Sequence, residues 1–132
     1  MKIIQTASTL LFMLSMSFNS MAQKTYDSVK YKGKTQNINV EFTLANSYVE
    51  ASEIKTTDLK TKKTSTFSVD PSDARVGTDL RLMHISTSTT QFTDYFILKN
   101  IEEGYTTPPK TIKGVYYFDN KPYELILKIK SK

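Results

Sequence analysis

A chain of 132 residues has room for one domain with a modest core. It contains no cysteine, which excludes a disulfide framework, a thiol nucleophile, a thiolate zinc site and a lipid anchor on a bacterial lipobox cysteine. Eighteen Lys and Arg against thirteen Asp and Glu give a mild positive balance, and only two of the eighteen are Arg, so neither an Arg recognition set nor a clustered basic stripe marks a nucleic-acid binder.

Residues 1–22 read as a secretory signal peptide. Lys2 supplies the positive end, Leu10 to Met16 the apolar core, and Ser20, Met21, Ala22 a small-x-small cleavage signal. The apolar run is shorter than the roughly 20 residues a membrane span needs, and Ser15, Ser17, Asn19 and Ser20 interrupt it. The expected product is an exported protein, periplasmic or extracellular, starting at Gln23 and lacking stable membrane insertion. Residues 23–132 form one β-domain in this reading.

Tyr26, Val29 and Tyr31 suggest an opening strand closed by a turn at Lys32, Gly33 and Lys34. From Ile38, the residues Ile38, Val40, Phe42 and Leu44 alternate with polar ones, the pattern of a strand with one buried face. Ser47 to Glu50 has the S-x-x-E form of a capping box, but the Thr-rich run beyond it favours a strand, with a bulge near Ser52 and Glu53 to correct the phase of Ile54. Ile54 to Val69 then forms a hairpin turning near Thr61, Lys62 and Lys63.

Leu80, Leu82 and His84 share one face of the next strand, and Arg81, Met83 and Ile85 the other. Ser86 to Gln91 is a polar edge or loop. Tyr95 to Leu98 is continuously apolar and suits a strand covered on both faces. After a connection containing Gly104, Pro108 and Pro109, the stretch Thr111 to Lys130 carries the strongest signal in the chain, a β-hairpin. Ile112, Gly114, Tyr116 and Phe118 face Tyr123, Leu125, Leu127 and Ile129 only if the loop between the arms has an even number of residues, two or four.

About eight short strands define an all-β fold, first a two-layer antiparallel sandwich and second a small closed barrel able to hold one small molecule. His84 is the sole histidine, set mid-strand without a G-x-S-x-G elbow, and reads as structural. A carboxylate pair could come only from loop acids such as Asp73, Asp79, Glu102 and Glu103. Asp70, Asp73 and Asp79 lack calcium-loop spacing, and the four glycines are isolated, so no catalytic residue, metal site or cofactor is assigned.

Among eight Tyr, Tyr105 in the proline-stiffened loop with Pro108 and Pro109, and Tyr117 on the outer hairpin face with Val115 and Ile126, are the binding candidates. The expectation is a small exported module that binds another exported protein, as an inhibitor, an immunity-type neutraliser or an accessory subunit. The alternative is a carrier of a small apolar or glycan ligand in a cavity.

Overall fold

The computed structural model describes residues 27–72 and 75–130. The signal-peptide assignment, Tyr26 and Asp73 lie outside the described residues. Nine antiparallel strands follow in chain order: β1 (Asp27–Thr35), β2 (Ile38–Asn46), β3 (Glu53–Asp58), β4 (Thr64–Val69), β5 (Arg75–Val76), β6 (Asp79–His84), β7 (Tyr95–Leu98), β8 (Thr111–Phe118) and β9 (Lys121–Ile129). Apart from β4 and β5, strands consecutive in the chain pair with one another, β1 pairs with β9, and β4 pairs with β6, so the sheet closes on itself. The two-residue β5 lies alongside β6 outside the ring.

The protein is therefore an eight-stranded up-and-down barrel, the second of the two architectures expected from sequence. The sandwich is corrected for a physical reason. Eight strands of alternating pattern fill either architecture, and only the β4–β6 ladder and the β1–β9 ladder, the latter between chain-distant residues, distinguish one sheet curled shut from two stacked sheets.

The interior rows follow the alternation. Tyr31, Phe42, Ile54, Phe67 and His84 sit opposite one another on β1, β2, β3, β4 and β6. Leu82, Phe96, Tyr116 and Tyr123 form a second row on β6 to β9. Tyr31, Phe42, Ile54, Phe67, Leu82 and Phe96 are fully buried, so the middle of this barrel is a packed core and not a channel. Gly33 and Gly114 make room for that packing. A Cβ on Gly33 would lie 2.7 Å from the Ile126 carbonyl oxygen, and one on Gly114 would lie 2.7 Å from Leu98 Cδ2.

Several local expectations change. Lys32 to Lys34 continue β1, and the turn falls at Gln36 and Asn37, with Gln36 at φ 53°. Residues 47–52 are neither a bulged strand nor a capped helix. A single 3-10 turn at Val49–Ala51 buries Val49 under the barrel end, with no side-chain cap at its start. Ser52 Oγ accepts a hydrogen bond from the Ala45 amide at 2.9 Å and ties the turn shut, which resets the phase of Ile54 without a bulge. Tyr95 and Ile97 on β7 are half-exposed, because a barrel wall has only one buried face.

The β3–β4 hairpin turns where expected, and the β8–β9 loop is the two residues Asp119 and Asn120. Both have positive φ, 55° and 61°, the twist-matched geometry of a type I′ turn.

Candidate functional site at the barrel mouth

The meander puts alternate loops at opposite ends. One end is sealed. There Val49 and Ile101 are buried, and Tyr105 packs against the core. Asn46 grips the Tyr105 backbone from both sides, Nδ2 donating to its carbonyl at 2.8 Å and Oδ1 accepting from its amide at 2.7 Å. The Tyr105 hydroxyl donates to the Asn100 carbonyl at 3.0 Å and accepts from the Glu102 amide at 2.9 Å. Tyr31, buried inside, reaches this loop through its hydroxyl, which donates to the Pro109 carbonyl at 2.7 Å. Burial, and secondarily the neighbouring Tyr105, pushes the Tyr31 phenol up to about 12.

Two acids of this end are engaged in structural contacts. Arg75 meets Glu103 at 2.8 Å and donates to the Ile101 carbonyl. Asp79 holds Lys99 at 3.1 Å and accepts from the Asn100 amide.

The other end is open. A recess of about 750 Å³ lies among the β1–β2, β3–β4 and β8–β9 turns and the segment entering β7. Its wall combines Phe67, Phe92, Phe118, Tyr123 and Ile38 with a polar group of three: His84, Asp94 and Tyr116. Asp94 sits just before β7, level with His84, whose amide donates to the Asp94 carbonyl. Its Oδ1 lies 2.8 Å from His84 Nδ1, and its Oδ2 accepts from the Tyr116 hydroxyl at 2.5 Å.

A carboxylate only accepts, so Nδ1 of His84 carries the hydrogen, and Nε2 offers a lone pair in the neutral ring. That nitrogen has no hydrogen-bond partner among the described residues, and His84 lines the recess. The ring itself is clamped. Phe92 stacks on it at 3.7 Å and 9° between planes, and Phe67 lies 4.5 Å away on the core side. Burial, reinforced by the Asp94 hydrogen bond and charge, raises the Tyr116 phenol far above its ordinary value, so it stays a donor. Asp58, at the rim, fixes the β3–β4 loop by accepting from the Lys60 and Thr61 amides at 2.8 and 3.0 Å. Those bonds, Thr61 first, hold its carboxyl below the usual range.

The residues singled out from sequence occupy other places. Tyr105, Pro108 and Pro109 belong to the sealed end, where Tyr105 and Pro108 border a shallow depression with Lys30 and Ile129. Tyr117 lies on the outer wall, stacked on Tyr95 at 4.9 Å, with Arg81 4.5 Å above the Tyr95 ring. The structure brings none of the first three together with Tyr117. The sequence alone marks His84 as structural and does not link Asp94 or Tyr116 to it. The sequence does carry one trace of the group, an interior-phase His on β6 at the end where an Asp precedes an apolar strand, but pairing them requires the β6–β7 register.

Fold and site together define a closed up-and-down β-barrel with a filled core and a polar-aromatic mouth. Comparisons with family models, with curated proteins and with solved structures give no match to this chain.

Proposed function

We propose that the protein is a small-ligand binder whose site is the barrel mouth. The observation that carries this reading is the His84–Asp94–Tyr116 group in the wall of the recess. A mostly buried carboxylate and imidazole are costly elements for stability alone, since apolar residues of similar size would pack the same wall at least as well. Here they leave one fixed nitrogen, Nε2, an acceptor in the neutral ring, amid aromatic rings, which is the usual composition of a small-molecule site.

The fitting ligand is largely apolar or planar, carries one hydroxyl or N–H to meet Nε2, and lies across the recess between Phe92, Phe118 and Tyr123. No Ser or Thr hydroxyl is hydrogen-bonded to Nε2 among the described residues, which supports binding in preference to nucleophilic catalysis. If the leader acts as read from sequence, the ligand is met outside the cytoplasm.

The test is a thermal-shift and calorimetry screen with phenols, indoles and short-chain acids and alcohols. A ligand that raises the melting temperature of the wild type, and loses at least about tenfold in affinity in His84→Ala, agrees with the reading. Ligands that bind His84→Ala equally well would place the site elsewhere.

One observation supports protein binding as a second reading. Arg81, Met83, Tyr95, Ile97, Val115 and Tyr117 occupy neighbouring outward positions on β6, β7 and β8, a composition typical of interface centres. Capture of one stoichiometric exported partner, abolished by Tyr95→Ala with Tyr117→Ala, would carry that reading. Retention in the double variant would end it.

A further inference from the structure

Four of the lysines that look scattered in the sequence meet on one wall of the barrel. Strands β9, β1, β2, β3 and β4 form a shallow outer trough of about 910 Å³, bordered by Lys32, Lys34, Lys55 and Lys128. Five adjacent strands make it about 19 Å across, and Lys32 and Lys34 are about 7 Å apart along β1. Lys30 leans to Glu41 at 3.6 Å and Lys55 to Glu53 at 3.8 Å, whereas Lys32, Lys34 and Lys128 form no salt bridge among the described residues.

One placement is costly. Lys32 sits directly opposite Lys128, and that pair is one of two in register between β1 and β9 among the described residues. Like charges in register repel across a ladder; Glu41, opposite Lys32 on β2, offsets part of this repulsion but is bridged to Lys30, and an anion over the juncture would relieve the rest.

We infer that this trough is a binding site for a linear acidic polysaccharide, with carboxylates over Lys32, Lys34 and Lys128. Charge complementarity supplies the attraction, and the chemistry of the rest of the wall selects the class. Glu41, opposite both Lys32 and Lys55 and bridged to Lys30, is the one carboxylate in the lining and leaves the lysines in excess. The other polar side chains between the cations include Asn39, Thr57, Thr64 and Thr66, neutral groups that both donate and accept, as sugar hydroxyls require. No aromatic ring lines the trough, so nucleic-acid bases have no stacking surface there. Ile126 is the only large apolar side chain exposed along it, too little to enter a bilayer, and a trough suits a rod better than a flat membrane. The lysines supply point charges without the planar fork that Arg brings to phosphates. The site lies on the outer wall and does not depend on the mouth.

The experiment is affinity electrophoresis and calorimetry of the purified protein with polygalacturonate, at about 20 mM and about 200 mM salt, where screening differs several-fold in range. Two triple variants of equal charge loss decide it: K32Q/K34Q/K128Q in the trough, and K62Q/K99Q/K121Q elsewhere. The expected result is salt-sensitive binding, at least tenfold weaker in the trough set and nearly unchanged in the other. The trough set should melt no lower than wild type without ligand, because repulsion is removed. If it fails to fold, K128Q alone carries the comparison.

No binding at low salt, or equal weakening by both sets, overturns the proposal. So does equally tight binding of an oligothymidylate or of phosphatidylglycerol vesicles, which would make the wall a generic basic surface. His84→Ala should bind polygalacturonate like wild type, which separates this outcome from that of the mouth.

Discussion

The Tyr116 hydroxyl meets Asp94 Oδ2 at 2.5 Å, so the carboxylate that orients His84 is held from the opposite side by a phenol buried in the barrel wall. The phenol's affinity for its proton is raised in the folded state by burial and by Asp94. The folded protein therefore retains a proton that the unfolded chain releases above about pH 10. This contribution is complete below pH 10 and fades as pH rises through the folded value, at about 1.4 kcal/mol per pH unit. Tyr116→Phe should be about 1–3 kcal/mol less stable than wild type at pH 8, because Asp94 loses a partner. The gap should narrow steadily between pH 10 and 11.5 in urea unfolding. A constant gap would show that the phenol does not titrate differently on folding.

Gly33 on β1 lies close against β9. A methyl group there would stand 2.7 Å from the Ile126 carbonyl oxygen, which is backbone and cannot swing aside, and 2.9 Å from Leu127 Cδ2. Gly33→Ala should lower stability by about 1–3 kcal/mol, the cost of overpacking. Chemical denaturation read by tyrosine fluorescence and circular dichroism measures it.

Asn46 satisfies both backbone groups of Tyr105, 59 residues away in sequence. Asn46→Ala should cost about 1–3 kcal/mol by leaving a part-buried amide and carbonyl unpaired. Hydrogen exchange at the Tyr105 amide should speed up, while exchange at the mouth stays as in wild type.

Asp119 and Asn120 both take left-handed backbone in the β8–β9 turn. Asn120→Gly relieves the steric penalty of that conformation and should add up to about 1 kcal/mol. The gain should appear as a higher melting temperature with no change in ligand binding at the mouth.

The parts of the fold that sequence made legible are those set by neighbours. The period-two rows of β2 and β8–β9, the even loop at Asp119–Asn120 and the β3–β4 hairpin all follow from local alternation and turn chemistry. The turn at 47–52 was misread because its tie, the Ala45 amide to Ser52 Oγ, has no pattern signature. Closure into a barrel was only the second choice, since β1–β9 pairing joins residues nearly a hundred positions apart. The mouth group was invisible for a similar reason. His84, Asp94 and Tyr116 come from three strand regions, and each has an ordinary role when viewed alone. The trough shows how a dispersed composition can still be a concentrated surface, since Lys32 and Lys128 meet only across the closing ladder.

That ladder also shapes how the molecule assembles. Seven of the ring's eight pairings join strands that are consecutive or separated only by β5, and each can form as a hairpin or near-hairpin without waiting for distant chain. The eighth, β1 with β9, joins the two ends of the described chain through just two residue pairs, Tyr31 with Ile129 and Lys32 with Lys128. Loop-closure entropy is concentrated in that single late step, so assembly should proceed quickly to a curled open sheet and then pause before the ring shuts. Joining the ends and cutting the chain at the β3–β4 loop would turn the slow event into a local one and move the delay to the β3–β4 pair.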